Sequence, residues 1–367
     1  MIELRTLRDG GQSAAEVAED IGTFLDGARQ TLDLALYDIR LVDAEAERVR
    51  GALVAAADRG VRVRLLYNID HPGPIPVPPP PESVSDLIES LPFETRPISG
   101  IPDLMHHKYA VRDGLSVLTG STNWTTDSWT RQENVIATIT SHDLALAFTL
   151  NFEELWDDGD VEHSGRVEPR PVDVGDAEVR PWFCPDHGEP LAHRIAKHLG
   201  RAKRRIRIAS PVLTSGPILG TLAEIIAERR CSVAGVVDET QLDDVYHQWL
   251  TNGVSAWKVP LLRSVIERGD FTGKRSIPWS PESLHNFMHA KVVVADDVAF
   301  VGSFNLSRSG ERNAENVLEI HDAESADRMA AYIDEIRALY PQSTVPLEAQ
   351  NAPVVPPPGE GSPAVTS

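Results

Sequence analysis

A set of polar residues occurs twice in this chain, in the same order and at nearly the same spacing. Residues 102–134, "PDLMHHKYAVRDGLSVLTGSTNWTTDSWTRQEN", carry His106-x-Lys108-x4-Asp113, then Gly120-Ser121-Thr122-Asn123 and Glu133-Asn134. Residues 286–316, "NFMHAKVVVADDVAFVGSFNLSRSGERNAEN", carry His289-x-Lys291-x4-Asp296, then Gly302-Ser303-Phe304-Asn305 and Glu315-Asn316. Asparagine follows histidine by 17 residues in the first copy and 16 in the second. Five kinds of polar residue recurring in order point to a duplicated structural unit rather than to chance.

The flanking sequence repeats as well. "SAAEVAEDIGTFLDGARQ", "TLDLALYDI", "AERVRGALVAAADRG" and "VRVRLLYNI" read as helix, strand, helix, strand. "EPLAHRIAKHLGRAK", "RRIRIASPVL", "GPILGTLAEIIAERR" and "CSVAGVVDE" repeat that order. Such alternation predicts an α/β fold with helices layered on largely buried sheets. Each half closes with an amphipathic helix. "SHDLALAFTLNFEELW" has Ser141 at its N-cap and Leu144, Phe148, Leu155 and Trp156 on one face. "SADRMAAYIDEIRALY" places Met329, Ile333, Ile336 and Tyr340 likewise. Both stripes read as core.

The repeated residues suit phosphodiester chemistry. Alternate residues of a strand share a face, so His and Lys of H-x-K project together. A lysine ammonium is a compact cation for a phosphate oxygen. Asn123 and Asn305 add neutral amide donors, and the hydroxyls of Ser121 and Ser303 are candidate substrate-binding groups. Glu133 or Glu315 can accept a hydrogen bond from one imidazole nitrogen, which fixes the tautomer and frees the other nitrogen to attack. Asp113 and Asp296 fit a catalytic role or the support of a turn at a strand end. His107, facing away from its neighbours, reads as structural. One copy lacks a second imidazole to act as acid; two copies facing each other have it.

The paired H-x-K-x4-D motifs with G-S-x-N downstream resemble the phospholipase D superfamily, over roughly residues 5–340. The resemblance implies two tandem α-β-α sandwich halves related by a pseudo-twofold axis, with both motifs in one active site. It implies that one histidine forms a phosphohistidine while the other protonates the leaving alcohol, with no metal or other cofactor. The implied catalytic residues are His106, His289, Lys108, Lys291, Asn123 and Asn305, with Asp113, Asp296, Glu133 and Glu315 in support, and the nucleophile is assigned to His106. The expected function is hydrolysis of a phospholipid or related diester. Alternatives are a nuclease, a phosphatidyltransferase of cardiolipin-synthase type and a non-catalytic phosphodiester-binding protein. The expected partners are the diester itself and a membrane surface.

The expected division is a first repeat over residues 1–160, a linker over 161–176, a second repeat over 177–341 and a disordered tail over 342–367. "HPGPIPVPPPPE", residues 71–82, reads as an extended surface loop. The formal net charge of −20 weighs against non-specific binding to polyanions, although a local basic cleft fits within it. Arg194, Lys197, Arg201 and Arg204 share a helical face, which reads first as a solvated face and second as a headgroup patch. The aromatic-rich segment 240–288 is the largest addition to the repeat and is a candidate lid over the cleft. No apolar run is long enough to span a bilayer, the start lacks a signal-peptide pattern, and Cys184 and Cys231 describe neither a disulfide framework nor a zinc site. A cytoplasmic location is the expectation.

Overall fold

The computed structural model describes residues 1–70, 86–278, 280 and 283–352. The proline-rich stretch 71–82 therefore lies outside the described residues. In the first half the elements are β1 (Ile2–Leu7), α1 (Ala14–Asp26), β2 (Thr31–Leu36), β3 (Ile39–Arg40), α2 (Asp43–Asp58), β4 (Arg62–Asn68), α3 (Asp86–Glu89), β5 (Glu94–Ile98), β6 (Lys108–Arg112), β7 (Ser116–Gly120), β8 (Trp124–Thr125), α4 (Thr126–Thr130), β9 (Asn134–Thr140) and α5 (His142–Asp158). The second half comprises β10 (Val172–Val174), β11 (Ala177–Phe183), α6 (Gly188–Arg201), β12 (Arg205–Ala209), α7 (Gly216–Glu228), β13 (Ser232–Asp238), α8 (Glu239–Asn252), α9 (Val259–Arg268), β14 (Asp270–Lys274), β15 (Val292–Ala295), β16 (Val298–Gly302), α10 (Arg308–Arg312), β17 (Asn316–His321), α11 (Ala323–Arg337) and α12 (Leu347–Gln350).

Among the described residues these form a seven-stranded sheet, β1-β9-β7-β6-β2-β4-β5, and an eight-stranded sheet, β10-β11-β17-β16-β15-β12-β13-β14. Apart from the extra edge strand β10, the order is the same in both. The duplication seen in the sequence is thus a duplication of topology. The crossovers β2–α2–β4 and β12–α7–β13 join parallel strands, while the motif strands β6–β7 and β15–β16 are antiparallel hairpins.

Outer helices cover one face of each sheet: α1 and α2 on the first, α6, α7 and α9 on the second. On the other faces α5 and α11 share one apolar core, in which Tyr109, Val111 and Phe148 meet Val179, Phe183, Met288 and Met329. Ser141 caps α5 by accepting from the Leu144 amide, and Leu144, Phe148, Leu155 and Trp156 are buried as their spacing predicts. The result is two α/β sandwich halves joined through their cores.

Two expectations about irregular segments are corrected. The joining stretch 161–176 ends in β10, which pairs antiparallel with β11 and extends the second sheet. The expected tail is ordered as far as it is described: Val345 and Ala349 are buried in the second-half core, and Ser343 and Thr344 donate to the Glu239 carboxylate. Apolar burial and a buried acceptor hold this segment, which composition alone reads as unstructured. Residues 353–367 lie outside the described residues.

Candidate active site

The two motif strands, β6 and β15, sit in the interiors of their sheets; His106 lies two residues before β6 and His289 three residues before β15. There the halves exchange main-chain hydrogen bonds. His106 N donates to Ala314 O at 2.9 Å and His289 N donates to Glu133 O at 3.2 Å. Each histidine is therefore fixed by the backbone of the opposite half. The glycines of G-S-x-N are explained by the neighbouring strand: a Cβ on Gly120 would meet Val135 O at 2.0 Å, and one on Gly302 would meet Asn316 O at 2.1 Å.

His106, His289, Asn123 and Asn305 all line one cavity of about 470 Å³. Tyr37 and Asp38 form part of its wall, and Asp38 is paired with Arg40 at 2.7 Å. His106 Nδ1 faces the Glu315 carboxylate at 2.9 Å, leaving Nε2 free of that bond. His289 Nδ1 faces Asn134 Oδ1 at 3.2 Å. Lys108 and Lys291 are buried and are not among the residues lining the cavity; each ammonium donates to the main-chain carbonyl of its own motif histidine, at 2.6 and 2.7 Å. Lys108 Nζ also sits 4.7 Å above the Tyr37 ring. Asn123 Oδ1 and Asn305 Oδ1 are buried without a hydrogen-bond partner, so both amides keep unused capacity at the cavity.

Burial dominates the electrostatics. It pushes both histidines well below the ordinary imidazole value, and the charges of Lys108 and Lys291 push the same way. Burial lowers Lys108 to about 7, against the opposing pull of Glu315 and Asp38. Lys291 is lowered well below its ordinary value, by burial first and then by Lys108. Glu315 is pushed up to about 7 by burial, against the pull of Lys108. Two buried lysines and two imidazoles around one carboxylate form an anion-seeking centre inside an acidic protein. An anion entering the cavity would favour the protonated forms.

The other residues singled out in the sequence fall into place differently. The Asp113 carboxylate accepts from the amides of Arg29, Gln30 and Thr31, and Asp296 accepts from those of Lys203, Arg204 and Arg205. Both adopt positive φ, at 56° and 52°, in hairpin turns at the far end of the motif strands. The turn-support reading therefore holds for both, and the catalytic one is corrected: a short carboxylate tolerates the left-handed backbone and satisfies three amides at once.

Ser121 and Ser303 are corrected in the same sense. Their hydroxyls are buried, accept from the amides of Val135 and Asn316, and do not line the cavity. Glu133 does not meet an imidazole. Its carboxylate is bound by Lys274 Nζ at 2.9 Å and by the hydroxyl of Tyr340. His107 is buried against Tyr109 and Asn316, in keeping with a structural role.

Segment 240–288 divides in two. Helix α8 lines the cavity with Gln241, Asp244, Val245, Gln248 and Trp249, and Phe287 lines it farther along the chain. The remainder is framework: Leu262, Val265 and Ile266 of α9 and Phe271 of β14 are fully buried, and β14 completes the second sheet. The lid expected over 240–288 is thus, among its described residues, a cavity wall made by α8 and Phe287 beside buried framework. Trp279 lies outside the described residues. The expected basic helical face is broken up, because Arg194 turns inward to the buried Glu319 at 2.6 Å and Arg204 lies past the end of α6. His198 and His321 approach the same carboxylate at 3.2 and 2.7 Å, and that carboxylate already has a guanidinium counterion.

Lys274, Tyr340 and Tyr37 were not identified as site residues from sequence, whereas Trp249 belongs to the aromatic-rich segment expected to cover the cleft. None belongs to the repeated pattern, so repetition could not reveal them. Among the described residues no helix is long and apolar enough to cross a membrane.

The chain matches the family described as "Cardiolipin synthase, PLD-like domain" over residues 21–156 and 195–337. It is 28% identical over 138 residues to a mitochondrial cardiolipin hydrolase of Chlamydomonas reinhardtii, covering 36% of this chain and 55% of that protein. Against the mitochondrial cardiolipin hydrolase of Xenopus tropicalis it is 46% identical over 138 residues, covering 36% and 58%. The chain thus spans about half the length of the curated relatives it matches. Among solved structures, phosphatidylserine synthase of Haemophilus influenzae superposes with a TM-score of 0.63 at 15% identity, covering 96% of this chain and 88% of that one.

Proposed function

We propose, from the premise that this chain belongs to the phospholipase D-like family, that it hydrolyses phospholipid phosphodiesters through a phosphohistidine. The observation that carries this reading is the meeting of His106 and His289, one from each half, in a single cavity backed by Lys108, Lys291 and Glu315. In the first step His106 Nε2 attacks phosphorus and the P–O bond to the leaving alcohol breaks. His289 Nε2 gives its proton to that alcohol. In the second step His289 takes a proton from water, whose oxygen attacks phosphorus. The P–N bond then breaks, the phosphomonoester leaves and His106 is regenerated.

A neutral imidazole attacks a phosphodiester anion without the repulsion that a carboxylate would meet. The Glu315 carboxylate offsets the positive charge that forms on the His106 ring when it is phosphorylated. The lysines and the two asparagine amides offset charge on the non-bridging oxygens.

A lipid substrate is supported by the relatives' names, by the apolar part of the cavity wall (Val245, Trp249 and Phe287) and by a net charge that disfavours polynucleotides. The test is a panel of phospholipid and nucleic-acid diesters assayed with and without EDTA. Wild type should release headgroup or monoester, and His106→Ala and His289→Ala should each lose at least about 10³-fold. The rapidly quenched wild type should carry on His106 an acid-labile phosphoryl group that still bears its second ester, a phosphatidyl group where the substrate is a phospholipid. Cleavage of DNA with no action on any lipid would replace the lipid reading with the nuclease one.

A further inference from the structure

Repetition accounts for the histidines and asparagines of the cavity. It does not account for two cations in the wall. Arg308 lies three residues past Asn305, where the first half has Thr126 three residues past Asn123. Lys258 comes from the stretch joining α8 to α9. Both line the cavity that holds the imidazoles, as do Thr214, Ser255 and Ser307. Thr214 N donates to Leu306 O at 2.8 Å, so this wall begins one residue past Asn305. The Lys258 ammonium donates to the Thr214 carbonyl at 3.2 Å and lies 5.6 Å from the ring centres of Trp249 and Trp257. Among the described residues Lys258 forms no ion pair, whereas Arg308 faces Glu311 at 3.1 Å with its side chain 70% exposed. Burial lowers the proton affinity of Lys258; Glu311 opposes that and Arg308 adds to it, so the two cations are near enough to repel each other. The other carboxylates of the wall do not neutralise them: Asp38 is closed on Arg40, and Asp244 of α8 is not among the charges that bear on Lys258. One carboxylate, Glu311, thus stands against two cations.

We propose that Lys258 and Arg308 form a subsite for a second phosphate group, carried by the same lipid whose phosphodiester meets the histidines. This rests on the proposed hydrolysis of phospholipid diesters. An ammonium and a planar guanidinium are complementary donors to phosphate oxygens, the first as a point charge and the second as a fork. The hydroxyls of Thr214 and Ser255 stand in the same wall to complete the set. A phosphate between the two cations offsets their mutual repulsion and supplies the counterion that Lys258 lacks. Headgroup charge becomes the property selected: a neutral or cationic headgroup leaves the pair unfilled, and a phosphorylated one fills it.

The test is calorimetric binding of two monomeric short-chain lipids, dihexanoylphosphatidylglycerol and its headgroup-phosphorylated form, to the His106→Ala protein, which lacks the assigned nucleophile. The phosphorylated lipid should bind about 10-fold more tightly. Lys258→Met in the same background should erase that preference. Arg308→Gln, a change to an exposed side chain, should reduce it and serves if Lys258→Met fails to fold. Equal affinity for the two lipids, binding of neither, or a preference that survives both substitutions overturns the proposal. Dihexanoylphosphatidylserine offers a headgroup carboxylate instead; if it binds as tightly as the phosphorylated lipid, the pair belongs to a carboxylate and the phosphate assignment falls. Because binding is read without turnover, inactivity of the wild type on every diester would sink the proposed reaction separately.

Discussion

Lys108 and Glu315 set the pH behaviour of the centre. Lys108 loses its charge as pH rises through about 7, which weakens the hold on an anionic ester. Glu315 gains a proton as pH falls through about 7, which removes the acceptor from His106. We expect kcat/KM, which reports the free enzyme, to be bell-shaped with its maximum near neutrality. Glu315→Gln should lower kcat/KM by about 10²-fold and abolish the acid limb. Retention of that limb in Glu315→Gln would mean another group controls it. The histidines, lysines and asparagines of this centre were legible in the sequence because they recur. The place of Glu133 was not, because a one-residue slip between the halves puts Asn134, and not Glu133, at the position that Glu315 holds beside the other imidazole. Tyr340 reads in the sequence as the end of an apolar helical stripe; in the structure it lies past the end of α11 with its hydroxyl against a carboxylate.

Among elements, the hairpins β6–β7 and β15–β16 show how one motif serves two ends. Histidine and lysine stand at the cavity end, and the aspartate stands at the turn. The aspartates' carboxyl groups are held below the usual range by the three backbone amides that each accepts, despite an opposing contribution from burial. Their contribution to stability is therefore complete above about pH 4 and is lost as pH falls through the depressed folded values. Asp113→Ala should cost about 1–2 kcal/mol, read by denaturant unfolding, and leave kcat unchanged. A large fall in kcat in a folded Asp113→Ala protein would restore the catalytic reading. Helix α8 makes a second case. Trp249→Ala should weaken turnover of long-chain phospholipid more than that of a small chromogenic diester, because it removes apolar wall and leaves the histidines in place. Equal losses on both substrates would point to a structural role for Trp249.

At the scale of the whole molecule, alternation of helix and strand revealed two α/β halves, and the structure repeats even the strand order. The edge strands β1 and β10 and the docked stretch 342–352 were harder to read. They are short, and they are held by contacts with residues distant in sequence, such as the pairing of β1 with β9. Local pattern carries no record of such partners. The shared core and the crossed main-chain bonds have a further consequence. Each half supplies the carbonyl that accepts the main-chain amide of the other half's histidine, so neither half owns a finished centre. On the proposed reaction, chemistry and interdomain cohesion are a single equilibrium: whatever loosens the seam also unmakes the catalyst, and whatever ester the two imidazoles grip together acts as a rivet across it.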